Sequence, residues 1–308
     1  MPRLNYDSNK KPSKKFDDFV AVKDLNLKIK KGTIYGLLGR NGAGKTTLLK
    51  MMACILKPSS GAAFIGGFDV SVDQEEIKQM IGVVPQENRF SGNLTAKEYL
   101  ALFGRIRGLS GDKLKKRILE VVKLLDIEDC QNRVTKNFST GIKKRLSIAM
   151  AIIHKPDVLF LDEPTTGLDP SIKREIWKFI KEIKNQGTTI VMTTHYMEEA
   201  DSLCDVVGIM DGGKLIKEGR PKDLKKELGA EYVIEIEAKN IEPEKLNGVI
   251  DFIRNNGDVF EFFTKRPAKL VSQIMSQDKV RKTLKAIHIR EPTLEDVFLS
   301  LTGKRLEE

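Results

Sequence analysis

The sequence predicts an α/β fold. A parallel sheet with an antiparallel β subdomain forms the core, a helical subdomain is inserted into it, and a small α+β domain follows. Three observations predict this. Thr33–Leu38, Val158–Leu161 and Thr188–Thr194 are continuous apolar runs, the composition of strands covered on both faces. Residues 95–155 keep a helical period of apolar positions throughout. Residues 231–308 alternate short strand-like and helix-like patterns.

Taken in order, residues 1–15 are polar and are expected to fray. Residues 16–35 alternate as a hairpin-like strand pair turned at Lys31-Gly32. Gly39–Thr47 matches G-x-x-x-x-G-K-[ST], the phosphate-binding loop pattern, and Thr33–Leu38 is the strand that feeds it. Leu48, Leu49, Met52 and Ile55 then fall at helical spacing. Residues 61–66 and 81–84 are short strand candidates. In Asp112–Asp126, the residues Leu114, Ile118, Val121 and Leu125 share one helical face. Ser139 is placed to cap a helix with Ile142, Leu146 and Ile153 inward. Ser171–Gln186 is amphipathic, with Ile172, Ile176, Phe179, Ile180 and Ile183 inward. Val206–Met210 and Lys214–Glu218 flank Asp211-Gly212-Gly213 as a hairpin. Pro221 opens a helix that ends near Gly229. The order beyond it is strand (232–237), helix, strand (259–264), helix, strand (286–290), helix. The expected domains are therefore residues 16–220, with the helical subdomain at about 90–155, and residues 221–308.

Composition narrows the class. The 308 residues carry a net charge of +10, with 40% hydrophobic and only 6% aromatic residues. The Lys and Arg residues are interspersed with Glu and lack interleaved aromatics, so a stacking platform for single-stranded nucleic acid is not expected. There is no apolar run of about 18 residues for a transmembrane helix. The first residues lack the apolar stretch of a signal peptide. Cys54, Cys130 and Cys204 are too scattered for a disulfide framework or a metal cluster, which suits a reducing cytosol.

The chemistry gathers in four places. Gly39, Asn41, Gly42, Ala43 and Gly44 let backbone N–H groups turn onto phosphate oxygens, with Lys45 as a point charge and Thr46 as a Mg²⁺ ligand beside Thr47. Val158–Leu161 ends in Asp162 and Glu163, one carboxylate for Mg²⁺ and one to polarise an attacking water. Gln86 follows the strand at 81–84, where its amide can contact Mg²⁺ or water. His195 follows 188–194, at the strand end where ligands sit in parallel sheets. A second anion site is expected at Ser139-Thr140-Gly141, because a capped helix terminus favours anions. Two such termini in one chain suggest a head-to-tail dimer, with nucleotide between Lys45 of one copy and Ser139 of another. His154 and His288 read as structural or surface residues.

The ordered set resembles the nucleotide-binding subunit of ATP-binding-cassette (ABC) transporters, in the branch that exports drugs, sodium and polysaccharides. In the family's terms, GRNGAGKTT looks like Walker A, VVPQE the Q-loop and VLFLDE Walker B. FSTGI looks like the signature, with Thr140 and Ile142 replacing the family's Gly and Gln. Gly167-Leu168-Asp169-Pro170 looks like the D-loop, and His195 the switch histidine. Glu291–Phe298 (EPTLEDVF) is also similar to that branch.

The resemblance covers about residues 16–220 and implies a P-loop NTPase core that binds ATP and Mg²⁺ and hydrolyses ATP. It implies that Lys45 holds the β- and γ-phosphates, that Glu163 is the general base, that His195 positions the γ-phosphate and water, and that Thr46, Asp162 and Gln86 stand at the metal. Phe16 would stack on adenine, Ser139 and Gly141 would close the site in trans, and Asp169 would link the two sites. It further implies a homodimer on the cytoplasmic inner face of the membrane. Its partner would be a separate transmembrane permease docked beside Gln86 and residues 87–107, where Tyr99, Leu100, Phe103 and Ile106 are amphipathic. The competing expectations are a soluble ABC ATPase acting on ribosomes or nucleic acid, and a regulatory ATP-binding module with little turnover.

Overall fold

The computed structural model describes residues 11–87, 90, 93–239, 241–246 and 248–303. Most of the polar stretch expected at residues 1–15 lies outside these. The chain divides into two compact units, Met1–Glu218 and Gly219–Glu308.

The first unit opens with an antiparallel pair, β1 (Lys14–Phe16) and β2 (Phe19–Val22). The elements that follow are β3 (Ile34–Leu38), α1 (Lys45–Met52), and a second small antiparallel pair, β4 (Phe64–Ile65) and β5 (Phe68–Asp69). Next come α2 (Gln74–Met80), β6 (Ile81–Val84), and the helices α3 (Ala96–Ile106), α4 (Gly111–Leu124) and α5 (Thr140–Ile152). The core then resumes with β7 (Val158–Asp162), α6 (Pro170–Asn185), β8 (Thr189–Thr194), α7 (Met197–Leu203), β9 (Val206–Asp211) and β10 (Lys214–Gly219).

The main sheet runs β10-β9-β3-β8-β7-β6. The pairings of β9 with β3, β3 with β8, β8 with β7 and β7 with β6 are all parallel. β3, β7 and β8 are buried at every residue, as their apolar sequences require between neighbours on both sides.

Two local readings are corrected. The hairpin expected to turn at Lys31-Gly32 instead turns at Asp17-Asp18, with Phe16 opposite Phe19. Leu25, Leu27 and Ile29 are buried as their alternation suggested, but they belong to no named strand. The reason is β3, which takes β8 and β9 as parallel partners on its two sides and leaves no edge for the segment before it. Ile55, expected at helical spacing with Leu48, Leu49 and Met52, lies beyond α1 and is 57% exposed. The helix ends at Met52, and Cys54 turns the chain outward with φ +57°.

The helices between β6 and β7 stack on their apolar stripes. Leu114, Ile118, Val121 and Leu125 of the α4 segment are buried, as are Leu146 and Ile153 of the α5 segment. A capping box starts α3, in which Glu98 N donates to Thr95 Oγ1 and Thr95 N donates to Glu98 Oε2. In α6, Ile176, Ile180 and Ile183 are buried, while Ile172 and Phe179 are half-buried.

The second unit contains α8 (Pro221–Lys226), β11 (Tyr232–Glu237), β12 (Phe252–Asn256), β13 (Val259–Thr264), α9 (Pro267–Met275), α10 (Asp278–Thr283), β14 (Ala286–Arg290) and α11 (Leu294–Thr302). Its antiparallel sheet has the order β12-β13-β11-β14. The helix expected between the first two strands is a 3-10 turn (Pro243–Lys245) followed by β12. Pairing with β13 overrode the weak local preference there, since a strand beside Phe260 and Phe262 gains cross-strand contacts that a lone short helix would lack. One sheet face buries Ile234, Ile236 and Phe262 with Leu270 and Ile274 of α9 and Val280 of α10.

Asp296 organises the end of this unit. It accepts from Arg290 Nη1 at 2.6 Å and Nη2 at 3.1 Å, and from Arg254 Nη1 at 3.2 Å. It also closes the capping box of α11 through Thr293 N at 2.8 Å. The EPTLEDVF stretch is thus a helix start pinned to two sheet arginines. Burial alone would raise the Asp296 carboxyl, but the Arg290 guanidinium outweighs that and holds it below the usual carboxylate range.

Candidate functional site

Parallel strands point their C-terminal ends the same way, and register decides which residues meet there. Leu38 of β3 pairs with Thr194 of β8, Thr193 with Asp162 of β7, and Leu161 with Val84 of β6. The residues just past these ends are the loop from Gly39, then His195, Glu163 and Gln86. Four segments scattered over 157 positions are thereby placed at one level on one sheet edge.

The loop wraps into α1 with Gly44 in a left-handed conformation, φ +95°. A Cβ on Gly44 would lie 2.3 Å from the Ala21 carbonyl oxygen, so only glycine fits under β2. Lys45 is buried, and its Nζ donates to Gly39 O at 2.7 Å and Arg40 O at 2.9 Å. Burial lowers the Lys45 pKa, while Glu163 and Asp162 oppose that shift. The ammonium thus rests on its own loop, where an incoming phosphate would offer it a stronger acceptor than carbonyls.

Thr46 Oγ1 donates to Asp162 Oδ1 at 2.8 Å, and Thr193 Oγ1 donates to the same oxygen at 2.7 Å. Asp162 is therefore oriented from two sides. Two hard oxygens this close fit neighbouring positions around a small octahedral cation. The donor set suits Mg²⁺, which keeps several waters and phosphate oxygens and takes few protein ligands.

Glu163 is buried and has φ +44°, a backbone region that costs on the order of 1 kcal/mol for a residue with a side chain. Its N–H donates to Thr193 Oγ1 at 3.0 Å. Its carboxylate is held by three groups: Gln86 Nε2 at 2.9 Å and Thr166 Oγ1 at 3.1 Å on Oε2, and His195 Nδ1 at 3.2 Å from Oε1. Together they fix a carboxylate at the rim of a cavity of about 600 Å³. Lys45, Thr46, Gln86, Glu163, Thr166 and His195 are among the residues that line it.

Asn41, Gly42 and Thr47 also line this cavity. Gly39, Ala43 and Asp162 lie behind it: Gly39 O accepts from Lys45, while Ala43 and Asp162 are buried. On the side of β2 the lining residues are Phe19 and Ala21, and Phe16 is not among them. Positions 19 and 21 share one face of β2, and that face meets the loop at Gly44. The Phe16 ring lies instead under the Lys14 ammonium, 5.1 Å from its centroid.

Ser139, Gly141 and Asp169 are also outside the cavity lining. Ser139 and Thr140 are exposed at the start of α5, where Ile142 N donates to Ser139 Oγ at 3.4 Å. Gly141 is buried, and a Cβ there would meet Ile172 Cγ2 at 2.9 Å, so a larger residue would push α5 off α6. Asp169 is exposed at the N-cap of α6.

Sequence reasoning missed Thr193, Thr166 and Lys144. The first carried a legible signal, a hydroxyl at the C-terminal end of an apolar strand. Lys144 is buried and donates to Gln86 O at 3.1 Å and Pro85 O at 3.3 Å; burial pushes its ammonium down to about 8. Glu199 was missed too. It is buried on α7, accepts from Thr165 Oγ1 at 2.9 Å and Trp177 Nε1 at 3.1 Å, and burial raises its carboxyl.

A phosphate loop after β3 of a parallel sheet, with a carboxylate pair at the end of β7 two strands away, defines a P-loop NTPase. Comparison with known proteins refines this class. Residues 22–166 match the family model described as ABC transporter. The Nod factor export ATP-binding protein I of Cupriavidus metallidurans is 35% identical over 298 residues, which is 96% of each chain. The linearmycin resistance ATP-binding protein LnrL of Bacillus subtilis is 35% identical over 295 residues, 93% of this chain and 95% of that one. Among solved structures, cbiO1 from Clostridium perfringens, part of the ABC transporter complex cbiONQ, superposes with a TM-score of 0.65. It is 32% identical and covers 73% of this chain and 90% of that one. The chain belongs to the ATP-binding subunits of ABC transporters, and its enzymatic activity is ATP hydrolysis.

Proposed function

We propose that this chain powers an exporter, acting as a homodimer on the cytoplasmic face of a membrane beside a separate permease. The observation that carries the reading is the convergence of Lys45, Thr46, Gln86, Asp162, Glu163 and His195 at one sheet edge. The relatives named for Nod factor export and linearmycin resistance favour export. Among the described residues no helix is long and apolar enough to cross a membrane, and in this reading the permease supplies the path for the cargo.

In this reading the loop amides and Lys45 hold the β- and γ-phosphates. Thr46 and Asp162 hold Mg²⁺, with Gln86 close by, and the ion would draw charge from the phosphate oxygens. Glu163 takes a proton from the attacking water. His195, beside Glu163 Oε1, orients that carboxylate and contacts the γ-phosphate. Phe19, on the wall of the cavity, offers the base a face that Phe16 does not. Ser139 and Gly141 of a second copy close the site, and Asp169 joins the two sites. Leu102 (44% exposed) and Ile106 (65% exposed) on α3 form the apolar surface on which the permease docks.

The test is affinity purification of the tagged chain from detergent-solubilised membranes of its own cell, followed by mass spectrometry. A stoichiometric polytopic membrane protein is expected. Recovery only with ribosomes or nucleic acid would overturn the reading.

A further inference from the structure

Lys144 poses a physical question. Its side chain is 2% exposed, and among the described residues its ammonium is in no ion pair within 4.0 Å. The carboxylates of Asp162, Glu163 and Glu199 act on it only through space. A buried cation without a direct counter-charge is costly, and a methionine of similar length would fill the same space without that cost. What the ammonium does have is a pair of backbone carbonyls, Pro85 O and Gln86 O. Those carbonyls bracket the residue whose side-chain amide reaches Glu163 Oε2 at 2.9 Å.

The same helix is fixed to the same strand a second time. A Cβ on Gly82 of β6 would lie 2.2 Å from Ala151 O, so the backbones of α5 and β6 are in close contact there. α5 thus grips β6 at Gly82 and again just past the strand's end. The second grip is made by a charged, directional group rather than by packing. It falls five residues after Ser139, about 7.5 Å along the helix.

We propose that Lys144 is a positioning residue for ATP hydrolysis, setting the Gln86 backbone so that the Gln86 amide orients Glu163. Displacement of the Ser139 end of α5 then reaches the hydrolytic carboxylate through one side chain and one loop. This rests on the reading that Gln86 and Glu163 belong to the hydrolytic site. The exposed start of α5 becomes a lever on Glu163, and Lys144 is its connection.

The test is a double-mutant cycle in the full chain with Lys144→Met, Gln86→Ala and the combination, measuring kcat, KM for ATP and equilibrium ATP affinity. Lys144→Met is expected to lower kcat about 10- to 100-fold, the scale of a 1 Å misplacement, with ATP affinity changed less than about threefold. The double variant is expected to be no slower than Gln86→Ala alone. Losses that multiply, or an unchanged kcat in Lys144→Met, would overturn the proposal. Should Lys144→Met fail to fold, Lys144→Gln, which keeps a shorter donor, replaces it under the same non-additivity criterion. If Gln86→Ala itself leaves kcat unchanged, it is the reading of the site that fails.

Discussion

Gln86 Nε2 donates a 2.9 Å hydrogen bond to Glu163 Oε2 across 77 residues of sequence, tying the end of β6 to the end of β7. With Thr166 and His195 on the same carboxylate, Glu163 has no freedom to turn away from the cavity that Lys45 and Thr46 line. A base fixed before the nucleotide arrives does not have to be ordered during the reaction.

In the proposed function Thr46 and Asp162, whose side-chain oxygens lie 2.8 Å apart, are the oxygen pair for Mg²⁺. Chelating divalent cations is expected to abolish hydrolysis. Asp162→Asn should lower turnover by about 100-fold or more, a loss of roughly 3 kcal/mol of stabilisation. Titrating Mg²⁺ into both proteins at fixed ATP checks this, and an unaltered Mg²⁺ dependence would exclude Asp162 from the metal site.

Phe19 lines the cavity beside Lys45, the proposed nucleotide site, and Phe16 does not. Phe19→Ala should weaken ATP binding about five- to tenfold, the lower range of aromatic–base stacking, and Phe16→Ala by less than twofold. Fluorescent-nucleotide titration of both variants decides it. The reverse order would return the base to Phe16.

The C-terminal unit depends on Asp296. Asp296→Asn should reduce its stability by about 1–3 kcal/mol, since both arginine partners are partly exposed and screened. The folded carboxyl is held below its ordinary range, so this stabilisation is present above that range and lost as pH falls below it. Hydrogen exchange should show loss of protection in β11 and β14, with the main sheet unchanged. Equal loss in both units would contradict a local role.

His154 sets a second pH limit. Its ring, held at Ile81 O by Nε2, has its pKa pushed down to about 4 by burial, then by Arg107 and Arg117. Between pH 6.5 and about 4 the unfolded imidazole binds a proton that the folded one does not. Stability is therefore flat above 6.5 and falls as pH drops toward 4, by about 1–3 kcal/mol after allowing for partial exposure. Denaturant unfolding at pH 7.5 and 4.5 should show this fall, and His154→Gln should reduce it. An identical fall in both proteins would clear His154.

The legible parts of the fold were those where one periodicity dominates. β6, β11, β13 and β14 lie where alternation and turn residues placed them, and β7 and β8 where continuous apolar runs did. The clustering of the candidate site was legible for a related reason: Lys45, Glu163 and His195 each follow a buried strand, and parallel strands share one end. What was not legible depended on partners distant in sequence. The residues before β3 alternate like a strand but lost their pairing edge to β8 and β9. β12 exists because β13 is beside it. Lys144 looks like any solvated lysine on an amphipathic helix, and only the approach of α5 to the Gln86 loop buries it. Phe16 and Phe19 are indistinguishable by type, and the turn at Asp17-Asp18 decides which one lines the cavity.

The central claim is that Glu163 is the base of an ATPase built on the Lys45 loop. Its most direct test is steady-state hydrolysis of saturating ATP with Mg²⁺ by the wild-type chain and Glu163→Gln, with nucleotide affinity measured in parallel. The account predicts turnover lower by about 10²–10⁴-fold with ATP affinity within about threefold. Turnover equal to the wild type, with binding intact, would contradict it.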